Sequence, residues 1–273
     1  MTARVFGKAI LSQLLCIIAL FTACADDEVT GDSVNTLQVT VQTEQANTSR
    51  AIIDGGYLPD GSSIGLNLMA EDGSAYDGQV FYNLQYTAAG EGAAQTWSST
   101  TPASLSSSIG KVIAYYPYND DENLDITAVP VETESQTDYM YAKPVTGVNL
   151  VSPNANLTMQ HALTDIRINV KKGTYTGTGE VTKITAKAPA FATHATMNAE
   201  TGVFSNVTGS GAQFVHELTD AAIATGNITH DFLVVPDADN ASGDVTIFVT
   251  IDGKKFAVNV PYTEAFQQGF ICL

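Results

Sequence analysis

The chain has 273 residues, 44% of them apolar and 15% charged, enough to bury one large or two ordinary cores without covalent staples. Its 29 acidic residues against 12 basic ones give a net charge of −17, and no basic cluster is denser than Lys171-Lys172 or Lys254-Lys255, which argues against nucleic-acid binding. Three cysteines cannot build a disulfide framework or a Cys-based zinc site, while 32 threonines beside 22 glycines and 9 prolines suit half-buried strands joined by tight turns, so an all-β fold is expected.

Arg4 and Lys8 precede an apolar run from Ala9 to Ala23, too short for a membrane span of roughly 20 residues, and residues 1–23 therefore read as a signal peptide. The run closes on Leu20-Phe21-Thr22-Ala23-Cys24, which resembles a bacterial lipobox. That resemblance implies cleavage before Cys24 and acylation of its thiol and new amine, giving an anchor that does not wash off. Asp26-Asp27-Glu28 follow directly and resemble the surface-export tag of lipoproteins in Bacteroidota-type bacteria; a solvated spacer is the plainer alternative. Residues 24–35 are then a lipidated acidic tether outside the fold.

From residue 36 the pattern changes. Leu37, Val39 and Val41 alternate with Gln38, Thr40 and Gln42, the period-two signature of a strand with one wet face. A polar gap from Glu44 to Arg50 and the turn residues Gly55-Gly56 and Pro59-Asp60-Gly61 come next. Ile64, Leu66 and Leu68 alternate, as do Val80, Tyr82, Leu84 and Tyr86, and Lys111 to Tyr116 is a short buried run stopped by Pro117. Residues 161–170 fit helix or strand spacing, but the Lys171-Lys172-Gly173 turn after them favours a strand. The turn-like Ser152-Pro153-Asn154 places a boundary near residue 158, dividing the chain into domains 36–157 and 158–273. Near the end, Asp252-Gly253 is a two-residue type I′ loop. It sets Val249 against Phe256, Ile247 against Val258 and Val245 against Val260, all on one face.

No catalytic set emerges. Gly61-Ser62-Ser63-Ile64-Gly65 matches a nucleophile-elbow pattern but leads into a strand, where a turn is the simpler reading. Asp237, Asp239, Asn240 and Asp244 lack EF-hand spacing, and His161, His194, His216 and His230 lack HxxxH spacing, so no metal or other cofactor is expected. Tyr115, Tyr116, Tyr118 and Trp97 could offer stacking faces to a sugar, though core packing is the commoner use of such rings.

Taken together, Ser49-Arg50-Ala51-Ile52, Gly61 to Leu66, Ala114-Tyr115-Tyr116-Pro117-Tyr118, Gln136 to Met140, Ala142 and His161-Ala162-Leu163 leading into Ile166-Arg167-Ile168 resemble the fimbrillin family, lipoprotein-derived pilins of Bacteroidota-type bacteria. The resemblance implies two tandem transthyretin-like β-sandwiches. It further implies a cut after an arginine behind the first strand, here between Arg50 and Ala51, which would release that strand with its lipid and open a groove for a neighbour's strand. The expected partners are other pilin subunits, the outer membrane through the lipid before processing, and a host protein or glycan receptor. The expected protein is a non-enzymatic fimbrial subunit or pilin-like adhesin at the cell surface. The alternative is a permanently lipid-anchored module that recognises glycan or host protein. After Val260-Pro261 only Tyr262 to Leu273 remain, shorter than the family's usual final strand, so the donor segment is expected to be short or absent. Such a subunit would accept but not donate, unless the product is truncated, with Cys272 then a free thiol of no known role.

Overall fold

The computed structural model describes residues 35–44, 56–223, 226–236, 243–262, 266–269 and 271–272. Among these the chain is nearly all β, with one short 3-10 turn at Gly92–Ala94 and no α-helix. The strands of the first half are β1 (Gln38–Thr43), β2 (Ser63–Ala70), β3 (Phe81–Ala89), β4 (Thr96–Ser98), β5 (Gly110–Tyr116), β6 (Val129–Glu132), β7 (Met140–Val148) and β8 (Asn154–His161). Those of the second half are β9 (Thr164–Val170), β10 (Glu180–Lys187), β11 (His194–Met197), β12 (Phe204–Thr208), β13 (Gln213–Ala222), β14 (Ile228–Val234), β15 (Gly243–Ile251), β16 (Lys254–Tyr262) and β17 (Ile271–Cys272). They form a seven-stranded sheet, β1-β8-β7-β5-β2-β3-β4, a four-stranded sheet, β13-β10-β15-β16, and two three-stranded sheets, β12-β11-β6 and β14-β9-β17.

The seven-stranded sheet curls until its two edge strands, β1 and β4, touch, and it encloses a core that includes Leu37, Val39, Ile64, Leu66, Tyr86, Trp97 and Leu157. β5 reads as a continuous apolar run because both its faces are covered: Val112 and Ala114 enter this core, while Ile113 and Tyr115 enter a second one with Val129, Val131 and Met197. Tyr115 is buried against β2 at Gly65, where a methyl group would overlap the phenol ring. Its hydroxyl donates to Asn83 Oδ1 at 2.6 Å and accepts the Asn119 N–H at 3.2 Å.

β3 departs from the alternation expected over Val80, Tyr82, Leu84 and Tyr86. Val80 and Tyr82 are exposed, whereas Phe81 packs on the core with Leu84 and Tyr86. The register of β2 on β3 shifts between Leu66 and Leu68, and Asn83 sits there with φ 47°. The extra residue turns the chain over, so residues before Asn83 present the opposite parity. Asn67, buried on β2, accepts the displaced Asn83 N–H at 2.7 Å.

The second half is packed around Ile184, Phe191, Phe214, Phe232, Val234 and Ile247. The β15–β16 hairpin has the register that its loop dictates, with Val249 opposite Phe256, Ile247 opposite Val258 and Val245 opposite Val260. Asp252 and Gly253 both have positive φ, as a type I′ turn needs. The Asp252 carboxylate also accepts from the Thr178 hydroxyl, the Gly179 and Glu180 N–H groups and the Tyr175 phenol, which holds it well below the usual carboxylate range. The 161–170 stretch is β rather than helix: β8 ends at His161 and β9 starts at Thr164. Residue 158 falls inside β8, where its ladder with β1 runs to Met159 and that with β7 to His161. β6, from the first half, pairs with β11 of the second.

Replacing Gly65 by alanine should cost about 1–3 kcal/mol, the usual range for overpacking a filled core. Tyr115→Leu, added to it, should restore part of that loss. Urea unfolding of the two variants checks both outcomes.

Candidate functional site

The segment expected to form the first strand lies at a sheet edge. β1 lies parallel to β8 in a six-residue ladder from Gln38–Asn154 to Thr43–Met159. Leu37, Val39, Val41 and Thr43 point into the core, and Gln38, Thr40 and Gln42 are exposed. Across the sheet face Thr40 Oγ1 donates to Asn156 Oδ1 at 2.7 Å. The opposite edge of β1 is held near its ends. Leu37 N–H donates to Ala103 O at 2.9 Å, Asn35 O accepts Leu105 N–H at 2.7 Å, and Thr43 N–H donates to Gly56 O at 2.9 Å. At about 1.5–3 kcal/mol per buried aliphatic side chain, Leu37, Val39 and Val41 supply most of what fixes this strand.

The end of β8 leads into buried charge. His161 Nδ1 lies 2.9 Å from Asp138 Oδ2, and both residues are buried. On β9, Arg167 donates from Nε and Nη2 to the two oxygens of Asp231, each at 2.7 Å, and from Nη2 to Asp165 Oδ2 at 3.3 Å. Burial first, then the Asp231 charge, pushes the Asp165 carboxyl up to about 7, against the pull of Arg167. On the facing edges of two sheets, His216 of β13 and His230 of β14 stack with ring centroids 3.7 Å apart, and His230 also meets Phe232 edge-on at 4.5 Å. Burial, followed by the neighbouring His216, lowers His230 to about 4.

Residues 33–271 match the family model described as fimbrillin-like. The chain belongs to the fimbrillin-like family. Its fold is shared with crystal structures of proteins provisionally assigned to cell adhesion in three Bacteroides species. The one from Bacteroides ovatus ATCC 8483 has 17% identity and a TM-score of 0.63, over 85% of this chain and 88% of that one. The one from Bacteroides uniformis ATCC 8492 has 23% identity and a TM-score of 0.63, over 78% and 84%. The one from Bacteroides fragilis NCTC 9343 has 14% identity and a TM-score of 0.52, over 86% and 90%. No curated protein is significantly similar in sequence.

In this fimbrillin-like chain, Cys24, Arg50 and Ala51 lie outside the described residues, as do residues 1–23, expected to be a signal peptide, and Asp237 to Asn240. Gly61, with φ 76°, is a turn residue two positions before the start of β2, and the Ser63 hydroxyl is hydrogen-bonded to that of Thr87 at 2.9 Å. No helix among the described residues is long and apolar enough to cross a membrane. Among the described residues no group of three His, Cys, Asp or Glu side chains could hold a metal ion. The histidine stack was not visible in the sequence, because His216 and His230 belong to different sheets and their spacing has no local meaning. Tyr115 is core, as its run suggested, but Tyr116 and Tyr118 are only half-buried.

The two shifted groups give opposite pH dependences. His230 is held neutral in the fold, so stability should be lost as pH falls from about 6.5 to about 4, by on the order of 1 kcal/mol once its partial exposure is allowed for. Asp165 has a raised folded value, so its contribution is fully present below about 4 and is lost as pH rises through about 7. Asp165→Asn should therefore lessen the fall in stability between pH 5 and pH 8, and His230→Phe the fall between pH 6.5 and pH 4. Urea unfolding as a function of pH reads both slopes.

Proposed function

We propose that this chain is a non-catalytic subunit of a cell-surface fimbria, or a pilin-like adhesin, delivered as a lipoprotein acylated at Cys24. Cleavage between Arg50 and Ala51 then frees β1, and a strand from another subunit takes its place. The observation that carries this reading is the position of β1. It is the first strand of the described fold, it sits at the edge of the seven-stranded sheet, and it contributes alternate side chains to the core. The next strand in sequence, β2, lies elsewhere in that sheet, beyond β8, β7 and β5. A cut at Arg50 would leave β1 attached by non-covalent contacts alone. Its departure would expose the backbone groups of β8 from Asn154 to Met159 and an apolar slot, which together form a template for strand addition. Membership of the fimbrillin-like family and the adhesion assignments of the similar Bacteroides structures support the cell-surface part of the reading.

An incoming strand must place apolar side chains where Leu37, Val39 and Val41 now sit. Limited trypsin digestion of mature protein should cut after Arg50, and the product should take up a synthetic peptide of residues 36–43 or assemble into laddered oligomers. Arg50→Ala should abolish both. A cut product that takes up no peptide and forms no oligomer would end the assembly proposal. In cells, intact mass separates a chain still acylated at Cys24 from one that begins at Ala51, and the former alone would favour a permanently anchored binding module.

A further inference from the structure

A cleft of about 610 Å³ opens where the β5–β6 connection folds back over β3, and none of its lining residues belongs to β1 or β8. It is lined by the half-buried Tyr118 and Tyr139, by Pro117 and Pro130, and by the polar Gln85, Asn119 and Asp120. We propose that this cleft binds a short neutral glycan of one to three sugar units, without chemical change to it.

The cleft is built rather than incidental. The Tyr118 main chain is held by its N–H, which donates to Ser63 O at 2.9 Å, and the Ser63 hydroxyl in turn accepts from Gln85 Nε2 at 3.1 Å. Gln85 is thereby oriented with its Oε1 left for an external donor. Asn119 is clamped in the same way: its carbonyl accepts from Asn83 Nδ2 at 2.8 Å and its Oδ1 accepts the Asp121 N–H at 2.9 Å. Its side-chain NH₂ has no acceptor among the described residues. The exposed Asp120 carboxylate adds two more acceptors. An oriented amide acceptor and amide donor, an exposed carboxylate and two tyrosine side chains match the chemistry of a sugar, which offers paired hydroxyls on its edge and C–H groups on its face.

Two alternatives are disfavoured by the same residues. Anionic sugars would meet Asp120, Asp121 and Glu122, with no lysine or arginine in the lining. A peptide adding as a strand would need the outer edge of β6, which is an edge of its sheet. Along that edge, positions 130 and 132 face outward, because Thr133 N–H faces inward to Thr193 O at 3.0 Å. Pro130 has no N–H, and the Glu132 N–H is already donated to the Tyr139 hydroxyl at 3.3 Å. No free backbone donor remains there for a strand.

The test is an array of neutral glycans, terminated in galactose, mannose, fucose or N-acetylglucosamine, together with sialylated and sulfated ones, probed with the mature chain before any cleavage. At least one neutral glycan should bind, and titration calorimetry with that soluble oligosaccharide should show Tyr118→Ala and Asp120→Ala each weakening it roughly tenfold or more. Trp97→Phe, outside the cleft, should bind as the parent does, and thermal unfolding of the two cleft variants should match the parent, which separates lost contact from lost fold. Binding confined to sialylated or sulfated glycans, binding that survives both cleft variants, or no binding at all would overturn the proposal. Because the assay needs neither cleavage nor assembly, its failure leaves strand exchange standing, and failure of strand exchange leaves the cleft untouched.

Discussion

Six residues of parallel ladder between β1 and β8, with Leu37, Val39 and Val41 packed beneath, set the condition that the rest of the molecule must meet. A parallel pair cannot be closed by a tight turn, and here Thr40 and its neighbour Asn156 are 116 residues apart in sequence. β1 is therefore held in the sheet by its ladder and its buried side chains rather than by a turn. Everything between it and β8 must fold well enough to present a finished slot. β5 supplies that independence, since its two faces join the core under β1 to the core shared with β6 and β11. The sheet is thereby braced from behind at its centre, far from the edge where β1 lies.

Much of this was legible in the sequence wherever the physics was local. The alternation at 37–41 named β1 and its buried face, and the Asp252-Gly253 loop fixed the β15–β16 register, because a two-residue turn and a period of two leave no freedom. Local reasoning failed where one residue broke parity. Nothing around Val80 and Tyr82 announces that Asn83 takes a left-handed conformation, since the cause is Asn67, sixteen residues earlier and across a strand pair. The pairing of β6 with β11, the stack of His216 on His230 and the convergence of Tyr118 and Tyr139 on one cleft are all non-local in the same sense. Cys24, Arg50 and Ala51 were read from motif resemblance, and they lie outside the described residues.

If strand exchange operates as proposed, the other sheet edges must not compete for the incoming strand. An open edge pairs with whatever extended segment reaches it unless something blocks it. On β6 the block is Pro130 together with the Tyr139 hydroxyl on Glu132 N–H. On β16 the hairpin end carries Lys254 and Lys255, with the Lys255 ammonium 3.8 Å over the Phe248 ring, and the other end carries Pro261. The edges of β13 and β14 are turned toward each other, with the two imidazoles stacked between them. On β9, Ile271 and Cys272 pair beside Asp165 and Ile166. β8 is covered differently from β6 and β16, by a regular six-residue strand with no proline, no charge and no bulge over Gln38–Thr43. An edge closed in that way is occupied rather than blocked, and a second strand of the same alternation would meet the same hydrogen bonds and the same apolar slot.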